Sequence, residues 1–174
     1  MAMDLRQHCE LMHRYQGWAL AQLYAGLAPL SDADYRRDAG LYFRSIHATL
    51  NHLLLVDHVW YGRMVREPFA IRGLGDELES DRARLEQRLA ARPASWLAHL
   101  ADLDDAALAG AVEFHKLDGT PARLPRAGAM LHVVNHGTHH RGQVSAAMTA
   151  MGLPAPELDY VMFLYTLPDA DLYR

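Results

Sequence analysis

The eight-residue segment NHGTHHRG, at positions 135–142, contains three histidines. In an α-helix, residues i and i+4 project from the same face, so His136 and His140 can direct their imidazole nitrogens to one ion. His132 lies one turn earlier on that face, whereas His139 is rotated by about 100° from His140 and is expected to point elsewhere. This spacing predicts two of the ligands of a transition-metal site.

A catalytic metal site usually needs a third protein ligand, and a second histidine-rich segment, IHATLNHLLLVDH at 46–58, can supply it. On a helix, His47 and His58 are rotated from His52 by about 140° and about 120°, so these three side chains cannot share a face. Small and β-branched residues flank His52 on its face and leave room for an ion with an open coordination position. We therefore predict His52 as the third ligand, with His47 as the alternative.

Other polar residues near the predicted ligands allow more than one function. His132 and His139 are candidate general bases, but His132 as a fourth ligand would favour a structural site. Asp57 on the second helix either accepts a hydrogen bond from a ligand imidazole or forms an ion pair with Arg141. A metal held by three neutral imidazoles would acidify a bound water or attract a thiolate. The open alternatives are a metal-dependent enzyme, a non-catalytic metal-binding module of the stress response, and a metal-free bundle with hydrogen-bonded histidines.

Composition and charge restrict the classes of function. The chain has 51% hydrophobic residues and a net charge of −4 with no basic stripe, so nucleic acid is not expected as a partner. The longest aliphatic run, LLLV, is too short to span a membrane, and the N-terminal residues lack the apolar core of a secretory signal. The single cysteine, Cys9, excludes an internal disulfide. We expect a cytoplasmic protein that forms one domain over residues 1–174.

Apolar residues recur at helical spacing in four long segments, which predict the helices of a bundle. The predicted helices cover residues 4–27, about 42–65, from near Asp76 to 103, and about 126–151. Pro93 is expected to kink or divide the third helix, with the apolar periodicity resuming over 95–103. Gly152 and Pro154 are expected to end the last helix.

The segment AVEFHKLDGTPARLPR, at 111–126, differs from the helical segments because apolar and polar residues alternate around Asp118 and Gly119. This pair is a strong hairpin-turn signal, so we predict a short β-hairpin or an extended loop before the last long helix. The C-terminal segment PELDYVMFLYTLPD, at 156–169, is apolar enough to pack back on the body as a short helix. The predicted fold is all-α, a four-helix bundle with this small insertion.

Two segments of the chain carry a resemblance to a known family. SIHATLNHLLLVDHVWYGR and LHVVNHGTHHRGQVSAAMTAMGLPAPELDY resemble the DinB (damage-inducible) family of bacterial four-helix-bundle proteins. The resemblance covers most of the chain and implies a zinc or nickel site with one histidine from the second helix and two from the last. By motif these ligands are His52, His136 and His140, the residues that the spacing also selects.

The same resemblance implies a class of chemistry and an assembly. The family is similar to S-transferases that use bacillithiol or mycothiol, and to maleylpyruvate isomerases that use related thiols. We therefore expect a metal-dependent transferase or hydrolase acting on a small-molecule substrate, with a low-molecular-weight thiol as a possible second cofactor. The resemblance also implies a homodimer.

Overall fold

Four long helices dominate the computed structural model of the protein, which describes residues 3–168. In chain order, the elements are α1 (Leu5–Leu27), α2 (Asp32–Arg36), α3 (Ile46–Val65), α4 (Arg82–Asp102), α5 (Asp105–Ala109), β1 (Ala111–His115), β2 (Pro121–Pro125), α6 (Arg126–Ala150) and α7 (Tyr160–Leu164). The predicted all-α fold with a hairpin directly before the last long helix is confirmed.

The long helices pack side by side around a common core. α1 contacts α4 and α6, and α3 contacts the same two helices, so the order around the bundle is α1–α4–α3–α6. Leu23, Leu50 and Leu85, from three of these helices, are fully buried in this core. Burial of each such side chain contributes about 1.5–3 kcal/mol, and it holds the helices at fixed positions. No helix in the described part of the chain has the length and apolar character that crossing a membrane requires.

α3 begins at Ile46, later than the predicted start near Tyr42. Ser45 caps this helix, because its hydroxyl accepts a hydrogen bond from the Ala48 N–H at 3.1 Å. The preceding residue, Arg44, has a φ of 71°, which is incompatible with a right-handed helix. The apolar residues before Ser45 therefore continue the helical spacing only by coincidence, and they lie in a turn.

α4 begins at Arg82 and not near Asp76, because Asn51 of α3 holds the preceding segment in a non-helical conformation. The side-chain oxygen of Asn51 accepts hydrogen bonds from the N–H groups of Leu78 and Glu79, both at 2.9 Å. These backbone groups are thereby withdrawn from any helical hydrogen-bonding pattern. The apolar residues recur at helical spacing from Leu78 onward, but the helix itself begins only at Arg82.

Pro93 lies inside α4, which runs undivided to Asp102, so of the two predicted effects, a kink or a division, the division is wrong. Proline removes one backbone donor from a helix interior, at a cost of roughly 3 kcal/mol. Here Pro93 is buried between Leu89 and Trp96, and these side chains pack into the core beside α1. Burial of this apolar face offsets the lost hydrogen bond.

The C-terminal part of the chain follows the sequence-based prediction. β1 and β2 pair antiparallel, and Gly119 in their turn has a φ of 82°. α6 ends at Ala150, just before Gly152, which has a φ of 78°. α7 packs back on α1 through the buried Phe163, whose ring lies 5.9 Å from that of Tyr15. The last residue of the predicted tail segment, Asp169, lies outside the described residues.

A buried histidine on α1 makes the stability of the bundle depend on pH. The ring of His13 stacks on Trp96 with centroids 5.2 Å apart, and neither of its nitrogens has a hydrogen-bond partner within residues 3–168. Burial lowers the pKa of His13 from 6.5 to about 4. Between about pH 6.5 and pH 4 the unfolded chain binds a proton at His13 and the folded chain does not. The free energy of unfolding therefore falls as the pH falls from about 6.5 to about 4.

We predict that His13→Phe removes this proton uptake and reduces the pH dependence of stability. Between about pH 7 and pH 5, the free energy of unfolding of this variant should fall by about 2 kcal/mol less than that of the wild type. Urea denaturation at each pH, in the presence of a chelator, measures the free energy of unfolding of the variant and of the wild type. His8→Phe, which alters an exposed histidine of the same helix, is the matched control and should behave as the wild type. An equal pH dependence in His13→Phe and the wild type would contradict the assignment.

Candidate metal centre

Three imidazoles converge where α3 packs against α6. His52 projects from α3, while His136 and His140 project from consecutive turns of α6, with their ring centroids 4.5 Å apart. One nitrogen of each ring lies within 4.8 Å of the corresponding nitrogens of the other two. The structure thus brings together the three side chains that the sequence selects as ligands.

The separation of the nitrogens suits a single ion. The Nε2 atoms of His52 and His136 are 3.2 Å apart. Two nitrogens that each lie about 2.0–2.1 Å from a tetrahedral zinc would be separated by about 3.3 Å. Three imidazole nitrogens form a donor set that both zinc and nickel accept. The residues therefore fit the metal that the sequence implies.

In His52 and His140, a hydrogen bond on the side of the ring that faces away from the centre determines which nitrogen faces the centre. The Nδ1–H of His52 donates to the backbone carbonyl of Leu74 at 2.8 Å. The Nδ1–H of His140 donates to Oε1 of Gln143 at 2.7 Å. In each ring the proton is thereby placed on Nδ1, and the lone pair of Nε2 is left for an ion. Partners of this kind orient metal-binding histidines and raise their basicity.

The three imidazoles are uncharged at neutral pH. Burial, together with the neighbouring rings of His140 and His52, lowers the pKa of His136 to about 3. Burial also lowers the pKa of His52 and of His140, while their hydrogen bonds to Leu74 and Gln143 act in the opposite direction. Only neutral imidazoles can coordinate a metal, so the bundle holds these rings in the state that binding requires.

A cavity of about 400 Å³ opens over the histidine cluster. Its walls are largely apolar and aromatic, and one wall is Phe43, whose ring stacks on that of His52 at 3.9 Å between centroids. Tyr42, Val56, Trp60 and Leu74 complete the apolar lining. A cavity of this size holds a small organic molecule. The site is therefore accessible to a substrate-sized ligand from one side.

His139 lies closer to the centre than the sequence predicts. Its ring is 4.9 Å from that of His140, and it lines the same cavity as an exposed side chain. Gln143 joins the two histidines, because its amide nitrogen lies 3.2 Å from Nε2 of His139 while its oxygen accepts from His140. His139 is thus not one of the converging histidines, as its position on the helix predicts, but its exposed ring lines the cavity beside them.

The other candidates from the sequence lie around or outside the cluster. His132 is exposed at the cavity wall, where its ring lies 5.1 Å from Trp60 and 5.8 Å from His136. His47 is directed to another part of the molecule, with Nε2 only 2.7 Å from a carboxylate oxygen of Glu77. The alternative that takes His47 as the third ligand is therefore wrong.

Asp57 has neither of the two partners that the sequence suggests. Its carboxylate accepts hydrogen bonds from Arg92 and from the indole N–H of Trp96, the latter at 2.9 Å, so it joins α3 to α4. Arg141 instead donates to Gln16 at 2.7 Å and to Thr138 at 3.0 Å, so it joins α6 to α1. Both buried groups fix the helices that carry the ligands.

Sequence reasoning missed Gln143, the carbonyl of Leu74 and the ring of Phe43. Gln143 follows His140 by three residues on the same helix, so helical spacing could have identified it. The Leu74 carbonyl is a backbone group of an irregular segment and leaves no signal in the residue types. Phe43 was expected on a helix, and only the turn before Ser45 brings it over His52.

Comparison with known proteins agrees with this architecture. A sequence model of the DinB family matches residues 3–170. Protein DinB of Bacillus subtilis (strain 168) is 27% identical over 168 residues, a match that covers 88% of this chain and 92% of that protein. The chain belongs to the DinB family.

Proposed function

We propose that the protein binds a divalent transition metal, zinc or nickel, through Nε2 of His52, His136 and His140, and that it is a metal-dependent enzyme. The observation that carries this proposal is the convergence of three neutral imidazoles within 4.8 Å at the base of an open cavity. The expected reaction class is transfer to, or hydrolysis of, a small electrophilic substrate. We further propose a single cytoplasmic domain that acts as a homodimer, as the family resemblance implies.

The number of ligands favours an enzyme over a structural site. Catalytic zinc keeps three protein ligands and an open position, whereas structural zinc takes four. Among the described residues, the group that could hold an ion consists of these three histidines, and His132 lies outside it, against Trp60. All three histidines line the cavity, so a small molecule in it would have access to an ion that they held. A non-catalytic metal-binding module with a structural or vestigial site is the alternative, and ligation by His132 as a fourth ligand would favour it.

The protein groups around the site have distinct roles in this proposal. A bound zinc or nickel, whose charge no carboxylate compensates, would lower the pKa of a water or of a low-molecular-weight thiol. Leu74 and Gln143 hold the ligand rings in orientation. The exposed imidazoles of His132 and His139 line the cavity and can accept a proton from a molecule there. Phe43 and Trp60 provide apolar contacts for the substrate body.

Metal analysis of protein purified without a metal-affinity column tests the site itself. We expect about one equivalent of zinc or nickel in the wild type. His52→Ala removes one of three ligands and should lower the affinity by roughly two orders of magnitude in a competition titration with a chelator. His47→Ala, which removes a histidine of the same helix outside the cluster, should bind as the wild type. Unchanged affinity in His52→Ala would contradict the site. Loss of affinity in His132→Ala would favour the structural alternative.

Gln143→Ala tests the orienting hydrogen bond separately from the ligands. Because this change leaves all three imidazoles in place, the stoichiometry should stay at about one, while the affinity should fall by about 10–100-fold. His139→Ala is the matched control, since it removes the other partner of Gln143 and preserves the bond to His140. Its effect on affinity should be clearly smaller. Equal affinities in Gln143→Ala and the wild type would show that this bond does not support binding.

A thiol-transfer and ester-hydrolysis assay of the metal-loaded protein tests the catalytic part of the proposal. Activity should be found with one class of electrophile, and His140→Ala should abolish it. His132→Ala and His139→Ala should each lower kcat while the metal stays bound, if the respective imidazole accepts the proton. Stoichiometric metal without activity on either class would favour the non-catalytic module.

A further inference from the structure

A second cavity, larger than the first, lies toward the C-terminal end of α3. Its volume is about 730 Å³, and it is enclosed by the last two turns of α3, the segment 66–69, strand β1 and the start of α6. Different residues line the two cavities. Arg63 in this cleft follows His52 by eleven positions on α3, which places its backbone about 16 Å farther along the helix axis. Its guanidinium reaches the ring of Trp60, which lines the first cavity, so the two cavities are neighbours on either side of Trp60.

Arg63 differs from the other buried or half-buried arginines of the described chain in lacking a close acceptor. Six of these have an acceptor within 3.0 Å, namely Arg6, Arg82, Arg88, Arg92, Arg126 and Arg141. The one hydrogen bond of Arg63 reaches the carbonyl of His115 at 3.5 Å, and within residues 3–168 it forms no ion pair. A guanidinium withdrawn from water without such a partner is costly. An external anion would compensate this charge.

Two aromatic rings hold the guanidinium of Arg63 in place. Its central carbon lies 4.5 Å from the ring centroid of Trp60 and 4.3 Å from that of Phe114. Stacking on an aromatic face leaves the N–H groups in the guanidinium plane free, and this fork matches the two oxygens of a carboxylate or phosphate. Arg63 is thus oriented before any ligand binds, which lowers the entropic cost of binding.

The other charges of the cleft favour the same kind of ligand. Arg66 and Arg126 also line it. The acidic residue in the lining, Glu113, is exposed and lies 3.5 Å from Arg123 across the hairpin, so its charge is partly compensated. The rest of the lining is mainly apolar and includes Val59, Met64, Phe69, Val112 and Leu117. An oxyanion with an apolar body matches both parts of this surface.

We propose that this cleft is a binding site for a small organic anion, in which Arg63 holds a carboxylate or phosphate group and the apolar wall holds the body of the molecule. Its volume lies within the range of roughly 300–1,000 Å³ typical of small-molecule sites. None of the three histidines of the metal centre lines this cleft, so the proposal can be tested in the metal-free protein. The same oxyanion chemistry fits a fatty-acid-like carboxylate and an alkyl phosphate. The relative affinity for one probe of each kind distinguishes these two ligand classes.

Titration of the chelator-treated full chain with hexanoate, hexyl phosphate and hexanol tests the site. We expect saturable binding of at least one anion by calorimetry, with a change in the fluorescence of Trp60 that Trp60→Phe removes. Hexanol, which has the same apolar body without charge, should bind about tenfold more weakly or not at all. Arg63→Gln should lower the affinity for the anion by about tenfold or more. Arg84→Gln, the same change on the exposed face of α4, should have no effect.

Three results would overturn the proposal. These are no binding of either anion at millimolar concentration, equal affinity in Arg63→Gln and the wild type, and an equal loss in Arg84→Gln. If Arg63→Gln does not fold, nuclear magnetic resonance of the unaltered protein decides the question. Hexanoate or hexyl phosphate should then shift the Arg63 side-chain signals and the amides of residues 112–115, and shifts confined to other regions would refute the site. The relative affinity for the two anions identifies the preferred oxyanion.

Discussion

The packing of α3 against α6 brings three imidazole rings into contact and removes them from water. Burial disfavours the protonated form of each ring, and close approach of the rings adds mutual repulsion of any positive charges, most strongly at His136. The cluster therefore favours neutral imidazoles, in which the Nε2–H of His136 can donate to Nε2 of His52 at 3.2 Å. A bound cation would take the place of this proton between the two nitrogens. The same contact also creates the cavity, since residues of both helices form its walls.

Buried polar groups fix the helices that take part in this contact. Arg141 joins α6 to Gln16 of α1, and Asp57 joins α3 to Arg92 of α4. Gly137 is required for the first of these bonds, because a Cβ atom at this position would lie 2.5 Å from Oε1 of Gln16. Such groups are costly to bury and leave little freedom of register once they are paired. We infer that they set the rotation of α6 that directs His136 and His140 toward His52.

The segment before α4 contributes to the centre through the backbone alone. Asn51 of α3 accepts hydrogen bonds from Leu78 and Glu79 and so fixes this segment beside the helix. The carbonyl of Leu74 in the same segment accepts a hydrogen bond from Nδ1–H of His52. Asn51 and His52 are adjacent in the chain, so a single stretch of α3 both supplies a ligand and anchors the segment that orients it.

The sequence by itself determined the helical segments, the hairpin and the spacing of the histidines. Each of these is a local property, because helical periodicity and turn residues act over a few positions, and the faces of His52, His136 and His140 follow from that periodicity. The start of α3, the start of α4 and the partners of Asp57 were predicted wrongly. The start of α3 is set locally by the cap at Ser45 and the positive φ of Arg44, whereas the start of α4 and the partners of Asp57 depend on groups distant in the sequence. Only the tertiary structure decided them, since packing determines which distant polar groups meet, and residue types along the chain do not specify those partners.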